Sequence, residues 1–406
     1  MIRSILPQWV INIFWHLPMA ILANIFYGFP TRGLKIIGVT GTDGKTTTVN
    51  MIYQILKSAG KKVSMVSTIN APGFHVTSPD PFTTQKFAKK VLDNGDEYLV
   101  LEVTSHGLDQ YRFWGVKFDA GVITNITHEH LDYHKAFENY SNTKLKFIRN
   151  VKYAVINEVL VPSIPRSEDV WYRKKITFGL EKGDFNQTDL KLKLNVAGDY
   201  NIENALAALS VAFALDIPKN IAMKTLENFQ PLPGRMNEIE NERGIRIFID
   251  FAHTPNGLEK SLMALRSQAR FADSTRRASP GRLIALIGAE GHRDEGKREM
   301  MGQIAQSLSD IVIVSAVDPR GQIDTINRQI FEGAKKAGAK PKKNFYIIGD
   351  RQEAINFAIN KLARRGNIVG IFGKGHEMSM NLDGKKEIPW SDSEAVERAL
   401  RGNMRN

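Results

Sequence analysis

The sequence predicts an α/β protein: a P-loop-type, doubly wound central domain followed by a Rossmann-like C-terminal domain. Three observations carry this. A glycine-rich turn, Gly38-Val-Thr-Gly-Thr-Asp-Gly-Lys45-Thr-Thr-Thr48, directly follows the apolar run Leu34-Lys35-Ile36-Ile37. Apolar strands then alternate with helical patterns over 34–150, the mark of a parallel sheet covered on both faces. Finally, a second strand–helix series restarts after Pro231-Leu232-Pro233-Gly234, the clearest linker signal in the chain. The expected division is an apolar helical leader over 1–33, a central domain over 34–233 and a C-terminal domain over 234–406.

The leader carries no Asp, Glu, Lys or Arg from Ser4 to Thr31 and is rich in Trp, Ile and Phe. Its length is near the roughly 20 residues of a membrane span. Pro7, Gln8, Asn12, His16, Pro18 and Asn24 interrupt it, and its Trp and Tyr suit an interfacial segment. Three readings stay open: helices lying in a membrane interface, a hairpin packed on the central domain, or a true span.

Past the leader, the strand at 34–37 feeds the glycine turn, and the helix after it presents Ile52, Ile55 and Leu56 on one face before stopping at Gly60. Strands Tyr98–Leu101 and Gly121–Ile123 exit into Glu102 and into Thr124-Asn125, where open α/β sheets bind ligands. Residues 151–197 give only short strand-like pieces, and a helical pattern resumes over 202–214. In the second series the strands read as Ile245–Ile249, Leu283–Ile287, Ile311–Val314, Phe345–Ile348 and Ile368–Phe372.

With 406 residues, two or three domains are expected, and an apolar content of 42% with 24% charged residues is that of a globular protein. The absence of cysteine excludes disulfides, thiolate catalysis and cysteine-held zinc. A net charge of +12 favours anionic partners. Lys and Arg are scattered and no nucleic-acid motif is present, so small anions are expected rather than nucleic acid.

The chemistry sits at strand exits. Gly41, Thr42, Asp43 and Gly44 form a phosphate cradle of backbone N–H groups, Lys45 adds a point charge, and the Thr46 hydroxyl can ligate Mg²⁺, with Thr47 following. Val39 stands where the general P-loop pattern has its first glycine. A carboxylate at Glu102 can hold a cation near nucleotide phosphates. The run Thr127-His128-Glu129-His130-Leu131-Asp132-Tyr133-His134 suggests cation binding, with hard oxygens plus one imidazole suiting Mg²⁺ or Mn²⁺ better than zinc. Lys144 falls within a stripe of Phe137, Tyr140, Phe147 and Ile148 at helical spacing, while Lys146 points elsewhere. Burial there would disfavour the ammonium, and a neutral amine could take up CO₂ as a carbamate ligand. The alternative is a lysine whose stem crosses a half-buried face to reach solvent. In the second series Gly234-Arg235, Asp250, Arg298, Asp318-Pro-Arg320 and Gly373-Lys-Gly-His-Glu377 read as one binding face.

Over 34–406 the chain resembles the Mur ligases, and within them the tripeptide-synthetase (MurE-like) branch. The resemblance rests on Gly-Thr-Asp-Gly-Lys-Thr at 41–46, Glu-Val-Thr-Ser-His-Gly-Leu at 102–108 with Arg112, and Thr-Asn-Ile-Thr-His-Glu-His-Leu-Asp-Tyr-His at 124–134. It continues with Thr143-Lys144, Gly198-Asp-Tyr-Asn201 with Asn204, Leu-Pro-Gly-Arg-Met at 232–236, Asp-Phe-Ala-His-Thr-Pro at 250–255, Arg-Asp-Glu-Gly-Lys-Arg at 293–298 and Gly-Lys-Gly-His-Glu at 373–377. It implies an ATP- and Mg²⁺-dependent amide ligase of peptidoglycan synthesis that activates a carboxylate as an acyl phosphate. By the family pattern Glu102, His130 and a carbamylated Lys144 hold metal, together with Thr46. Asn204, Arg235 and Asp250 attend the nucleotide. Thr77, Ser78, Thr104, Ser105, His106 and Arg112 meet the muramoyl peptide, and Arg298, Asp318, Arg320, Gly373 and Glu377 line the amino-acid pocket.

There are departures. Glu129 stands for the usual aspartate, and Val317-Asp318-Pro319-Arg320 for Asp-Asn-Pro-Arg; the arginine that clamps the distal carboxylate of meso-diaminopimelate is kept as Arg320. The family's N-terminal uridine-binding domain is not recognisable, and the leader occupies its place. The expectation is a cytoplasmic monomer, peripheral to the inner membrane face through residues 4–31. The rivals are folylpolyglutamate-type, cyanophycin-type or lipid-linked-precursor ligases, and a non-catalytic nucleotide sensor.

Overall fold

In the computed structural model, residues 6–70, 78–164, 172–271 and 281–402 are described. They form two compact units. The first comprises the described residues of Met1–Thr127, Ala136–Asn195 and Tyr200–Phe229; the second comprises His128–Lys135, Val196–Asp199 and the described residues from Gln230 onwards.

The first unit is built on a seven-stranded sheet of β1 (Lys35–Thr40), β2 (Val63–Val66), β3 (Tyr98–Glu102), β4 (Phe118–Ile123), β5 (Tyr153–Asn157), β6 (Lys174–Gly179) and β7 (Phe185–Asn186), in the order 2-3-1-4-5-6-7. Every pairing is parallel. Strand order reverses at β1, whose neighbours are β3 and β4, so the crevice for a ligand opens at the carboxyl end of β1. That end is the glycine turn. Burial on both faces explains the continuous apolar runs: Ile36, Ile37, Val39, Leu99, Val100, Val122 and Ile123 are inaccessible. The stretch that gave no clear pattern after residue 150 supplies β5, β6 and β7, which extend the sheet on one side.

The leader is neither a separate body nor a hairpin. Gln8–Tyr27 is one helix of 20 residues, with a π-helical stretch at Asn12–His16, and it belongs to the first unit. Asn12 Nδ2 donates to Asp109 Oδ2 (2.8 Å), and Asn24 Nδ2 donates to the carbonyls of Ala20 (2.8 Å) and Trp114 (2.9 Å).

The second unit carries β8 (Asn237–Ile239), β9 (Arg246–Asp250), β10 (Leu283–Ile287), β11 (Ile311–Val314), β12 (Phe345–Ile347) and β13 (Ile368–Phe372) in the order 12-11-10-13-9-8. Only the edge strand β8 is antiparallel. A small hairpin, β14 (Ser379–Asn381) with β15 (Glu387–Pro389), follows. The C-terminal helix Asp392–Arg401 is tied in by a buried bidentate pair, Arg351 Nε and Nη2 to Asp392 at 2.7 and 2.8 Å. Arg351 Nη2 also donates to the carbonyl of Phe372 (3.0 Å), so this arginine anchors the exit of β13. Truncation would strand a carboxylate in the core. Arg351→Ala is therefore expected to cost about 3–5 kcal/mol, read from urea denaturation.

Candidate functional site

In the first unit the glycine turn is held by what surrounds it. A Cβ on Gly41 (φ +149°) would lie 1.8 Å from Thr124 Oγ1, and one on Gly44 (φ +83°) 2.2 Å from Asn204 Oδ1. Both positions therefore demand glycine for close approach as well as for φ. The exit of β4 clamps the turn: Thr124 Oγ1 donates to the carbonyl of Asp43 (2.6 Å), and the Asp43 N–H donates to Asn125 Oδ1 (2.9 Å). Thr42 Oγ1 accepts from the Thr127 N–H at 2.9 Å and shares a hydrogen bond with the Tyr140 hydroxyl, also at 2.9 Å.

The reactive side chains gather around this turn. Lys45, first residue of the helix Lys45–Ser58, donates from Nζ to the carbonyls of Gly41 (3.0 Å) and Thr42 (2.7 Å). Next to it, Thr46 Oγ1 donates to Glu102 Oε1 at 2.9 Å. Glu102 is buried at the end of β3, and its Oε2 accepts from Thr68 N (2.6 Å) and Oγ1 (2.9 Å). Thr47 is buried in the same helical turn, and Asn204 reaches the turn from the helix Asp199–Ala214, accepting from Thr48 Oγ1 at 3.3 Å.

Lys144 lies on Phe137–Phe147 and is only 2% exposed. Its Nζ donates to the carbonyl of Gly41 (2.7 Å) and to Thr40 Oγ1 (3.4 Å), and sits 4.8 Å from the Tyr140 ring centroid. The amine thus points at the phosphate turn and not to solvent, which removes the solvent-reaching alternative. Of the hydrophobic stripe expected around it, Tyr140, Phe147 and Ile148 are buried, whereas Phe137 is exposed.

A second cluster joins the segments before β4. Ser78 Oγ donates to the carbonyl of Glu102 (3.2 Å) and accepts from the Thr104 N–H (3.1 Å). Arg112 Nη1 donates to the carbonyl of Ser78, and its Nη2 to Gln110 Oε1 (2.7 Å). Thr104 caps the short helix Ser105–Asp109 by accepting from the Gly107 N–H at 3.0 Å, which sets Ser105 and His106 in its first turn. Thr77 lies outside the described residues.

The second unit gathers the remaining motifs at the carboxyl end of its sheet. Gly234 (φ +64°) packs so tightly that a Cβ would come within 2.2 Å of the His376 backbone nitrogen, joining the Gly234-Arg235 turn to the loop after β13. Arg235 stacks over Phe251, its Cζ 4.5 Å from the ring centroid. Asp250 Oδ2 accepts from Met236 N (2.7 Å) and Oδ1 from Ala252 N (2.9 Å). Burial raises the Asp250 carboxyl above its usual range, against the pull of Arg235 and these donors. Burial likewise lowers the His376 imidazole, helped by Arg235 and Lys374, to about 3, so it is neutral at physiological pH.

Asp318 (φ +42°) and Arg320 (φ +49°) occupy the left-handed region, where non-glycine residues are strained. Both Asp318 oxygens accept from the buried Lys374 Nζ (3.1 and 3.0 Å), and Oδ1 also accepts from the Asn381 N–H (2.8 Å). Glu377 completes the triad, 2.5 Å from Lys374 Nζ; desolvation pushes its carboxyl up to about 7 against that lysine. Gly373 (φ +107°) opens this loop. Arg320 Nη1 donates to the carbonyl of Gly291 (3.2 Å). Arg298 differs from the pocket-lining expectation. It is fully buried and spends its guanidinium on Gln329 Oε1 (2.6 Å) and the carbonyl of Glu290 (3.0 Å), bracing the loop after β10.

His130 (φ +57°) belongs to the second unit, with Nδ1 3.9 Å from Glu129 Oε1. Glu129, where the family carries aspartate, accepts from the buried Lys297 Nζ at 3.1 Å. Sequence reasoning missed Lys297 and Glu290. Burial alone would raise the Glu290 carboxyl, but Lys297, His253, Arg293 and Arg320 together hold it at about 2. That value lies below the ordinary 4.5, so ionised Glu290 stabilises the fold at neutral pH, and the contribution is lost as pH falls from 4.5 through about 2. Glu290→Gln is expected to destabilise the protein by on the order of 3 kcal/mol at pH 6, with the gap closing by pH 2, in urea titrations at each pH.

Residues 39–212 match the Mur ligase middle domain and residues 234–375 the Mur ligase glutamate ligase domain. A UDP-N-acetylmuramoyl-L-alanyl-D-glutamate–2,6-diaminopimelate ligase of Clostridium botulinum is 33% identical over 94% of this chain and 81% of its own. The enzyme of the same name from Chromobacterium violaceum is 34% identical over 94% and 80%. Among solved structures, a ligase of that name aligns with TM-score 0.56 at 27% identity, covering 92% of this chain and 79% of its own. A Mycobacterium tuberculosis folylpolyglutamate synthase bound to ADP and AMPPCP shares the fold, with TM-score 0.67 at 16% identity, covering 88% and 92%. The chain belongs to the Mur ligase family. It is accordingly an ATP-dependent ligase that forms carbon–nitrogen bonds.

Proposed function

We propose that this ligase joins meso-diaminopimelate to the terminal carboxylate of a muramoyl-peptide precursor in peptidoglycan synthesis; its relatives are named as ligases of UDP-N-acetylmuramoyl-L-alanyl-D-glutamate and 2,6-diaminopimelate. The observation that carries the reading is the convergence of Lys45, the Thr46–Glu102 pair and Lys144 on one glycine turn at the point where strand order reverses.

The substrate carboxylate attacks the γ-phosphorus of ATP, releasing ADP and leaving an acyl phosphate. The neutral amine of the incoming amino acid then attacks the acyl carbon. The C–O bond to phosphate breaks with its electron pair, inorganic phosphate departs and the amine gives up a proton. In this reading the backbone N–H groups of residues 41–46 seat the phosphates and Lys45 neutralises charge that develops on transfer. Asn204 fixes the turn.

The donor set suits Mg²⁺. Thr46 and Glu102 offer hard oxygens of the kind that hold an ion completed by substrate phosphates and water. Thr46, Glu102 and the carbamate of Lys144 would hold it, and it would supply charge neutralisation on the phosphates. Ser78, Thr104, Ser105, His106 and Arg112, with Thr77, would receive the muramoyl peptide. Arg320 would face the distal carboxylate of the incoming amino acid, flanked by Gly373 and Glu377. Asp318 acts by fixing Lys374. The enzyme works as a monomer on the cytoplasmic side, where ATP is found.

ADP release tests the reading, with nucleotide-linked and lipid-linked muramoyl dipeptides crossed against meso-diaminopimelate, lysine and glutamate. Turnover with diaminopimelate and a muramoyl dipeptide supports it. Turnover of these dipeptides only with lysine or glutamate, or with none of the three, would overturn it.

A further inference from the structure

The helix Gln8–Tyr27 is amphipathic in the opposite sense to a surface helix. Its polar Asn12 and Asn24 are buried, with Ala20 and Ala23, against the first unit. Its solvent face carries Trp9, Phe14, Trp15, Ile25 and Phe26, which are 56–74% exposed. An aqueous surface would place these faces the other way round.

We infer that this face docks on an anionic lipid surface, with the helix lying in the plane of the bilayer interface. The polar bonds of Asn12 and Asn24 hold the helix along the protein, so it presents a side and not an end to the lipid. Its chemistry fits the headgroup boundary, where indole rings and aliphatic chains gain most.

Charge selects lipid over a second copy of this chain. No formal charge lies between Ser4 and Thr31, and the flanks are basic. Arg32 stacks on Phe29, 4.0 Å from the ring centroid. On the adjoining helix Pro81–Asp93, Phe82 packs 6.3 Å from the Phe26 ring. Exposed Lys86 and Lys90 follow Phe82 at four-residue spacing, on the same stripe. The acids of that helix are engaged: Asp80 caps its start and Asp93 pairs with Lys89. A symmetric pairing of two such faces would set lysines against lysines, whereas anionic headgroups complement them.

The test uses the full chain and sedimentation with vesicles of pure phosphatidylcholine or of equimolar phosphatidylcholine and phosphatidylglycerol. Binding to the anionic vesicles is expected, with a blue shift of tryptophan emission, and roughly tenfold weaker binding to the neutral ones. Phe14→Ser with Phe26→Ser should weaken it at least about tenfold while leaving the melting temperature and ADP release unchanged. Lys86→Glu with Lys90→Glu should weaken only the anionic preference. Wild-type protein left in the supernatant, equal binding by the Phe14/Phe26 variant, or a dimer that these substitutions dissolve without any vesicle binding would each overturn the inference. None of these outcomes bears on the ligase reading, because the substituted residues lie outside its machinery.

Discussion

Lys45→Ala is expected to reduce ADP release by at least about a thousandfold with no loss of melting temperature. The ammonium donates to the carbonyls of Gly41 and Thr42, both groups of the turn itself, so its removal leaves the apolar core around β1 in place. What is lost is charge stabilisation as the γ-phosphoryl group moves, an effect of about 10²–10³ or more for one preorganised donor in a dry site. Lys45→Arg should recover little, since a planar fork does not replace a point charge in so tight a turn. Undiminished ADP release by folded Lys45→Ala protein would remove the turn from the chemistry.

Lys144→Ala carries the second large effect. Its amine is enclosed by Gly41, Thr40 and Tyr140, so alanine deletes a buried stem and any carbamate formed on it. Near-complete loss of activity is expected, with partial return on adding formate or acetate, which supply the missing carboxylate. A carbamate resonance in wild-type protein equilibrated with isotope-labelled bicarbonate, absent from the variant, separates this role from packing. Full activity of Lys144→Ala would make the residue structural.

β1, β3 and β4 of the first sheet and β9 to β13 of the second were legible in the sequence because parallel strands buried on two faces read as unbroken apolar runs, whereas the half-buried edge strands β2 and β8 were not. The position of Lys144 was legible for a similar reason, since helical spacing placed it with Tyr140 and Phe147. The strands after residue 150 were not, because β7 is two residues long and β6 begins on exposed Lys174 and Lys175. Thr68 was missed at Glu102 because nothing local marks a threonine whose partner is 34 residues away. Lys297 and Glu290 were missed likewise: each charge is defined by partners brought together by folding. Arg298 was placed in the pocket by the family pattern alone, which does not show that its guanidinium is buried against Gln329 and the carbonyl of Glu290.

The peptide crosses from one compact unit to the other at Thr127–His128 and Lys135–Ala136, and again on either side of Val196–Asp199, before the linker near Gln230. No single cut can therefore separate them cleanly. A fragment that begins at the linker would lack Glu129 and leave the Lys297 ammonium buried without that carboxylate. Proteolytic nicking between 136 and 173 should likewise leave the two fragments associated, since the chain on each side of the nick contributes strands to the same sheet. Because the chain passes between the units at several points, the two are expected to be lost together once either is cut away.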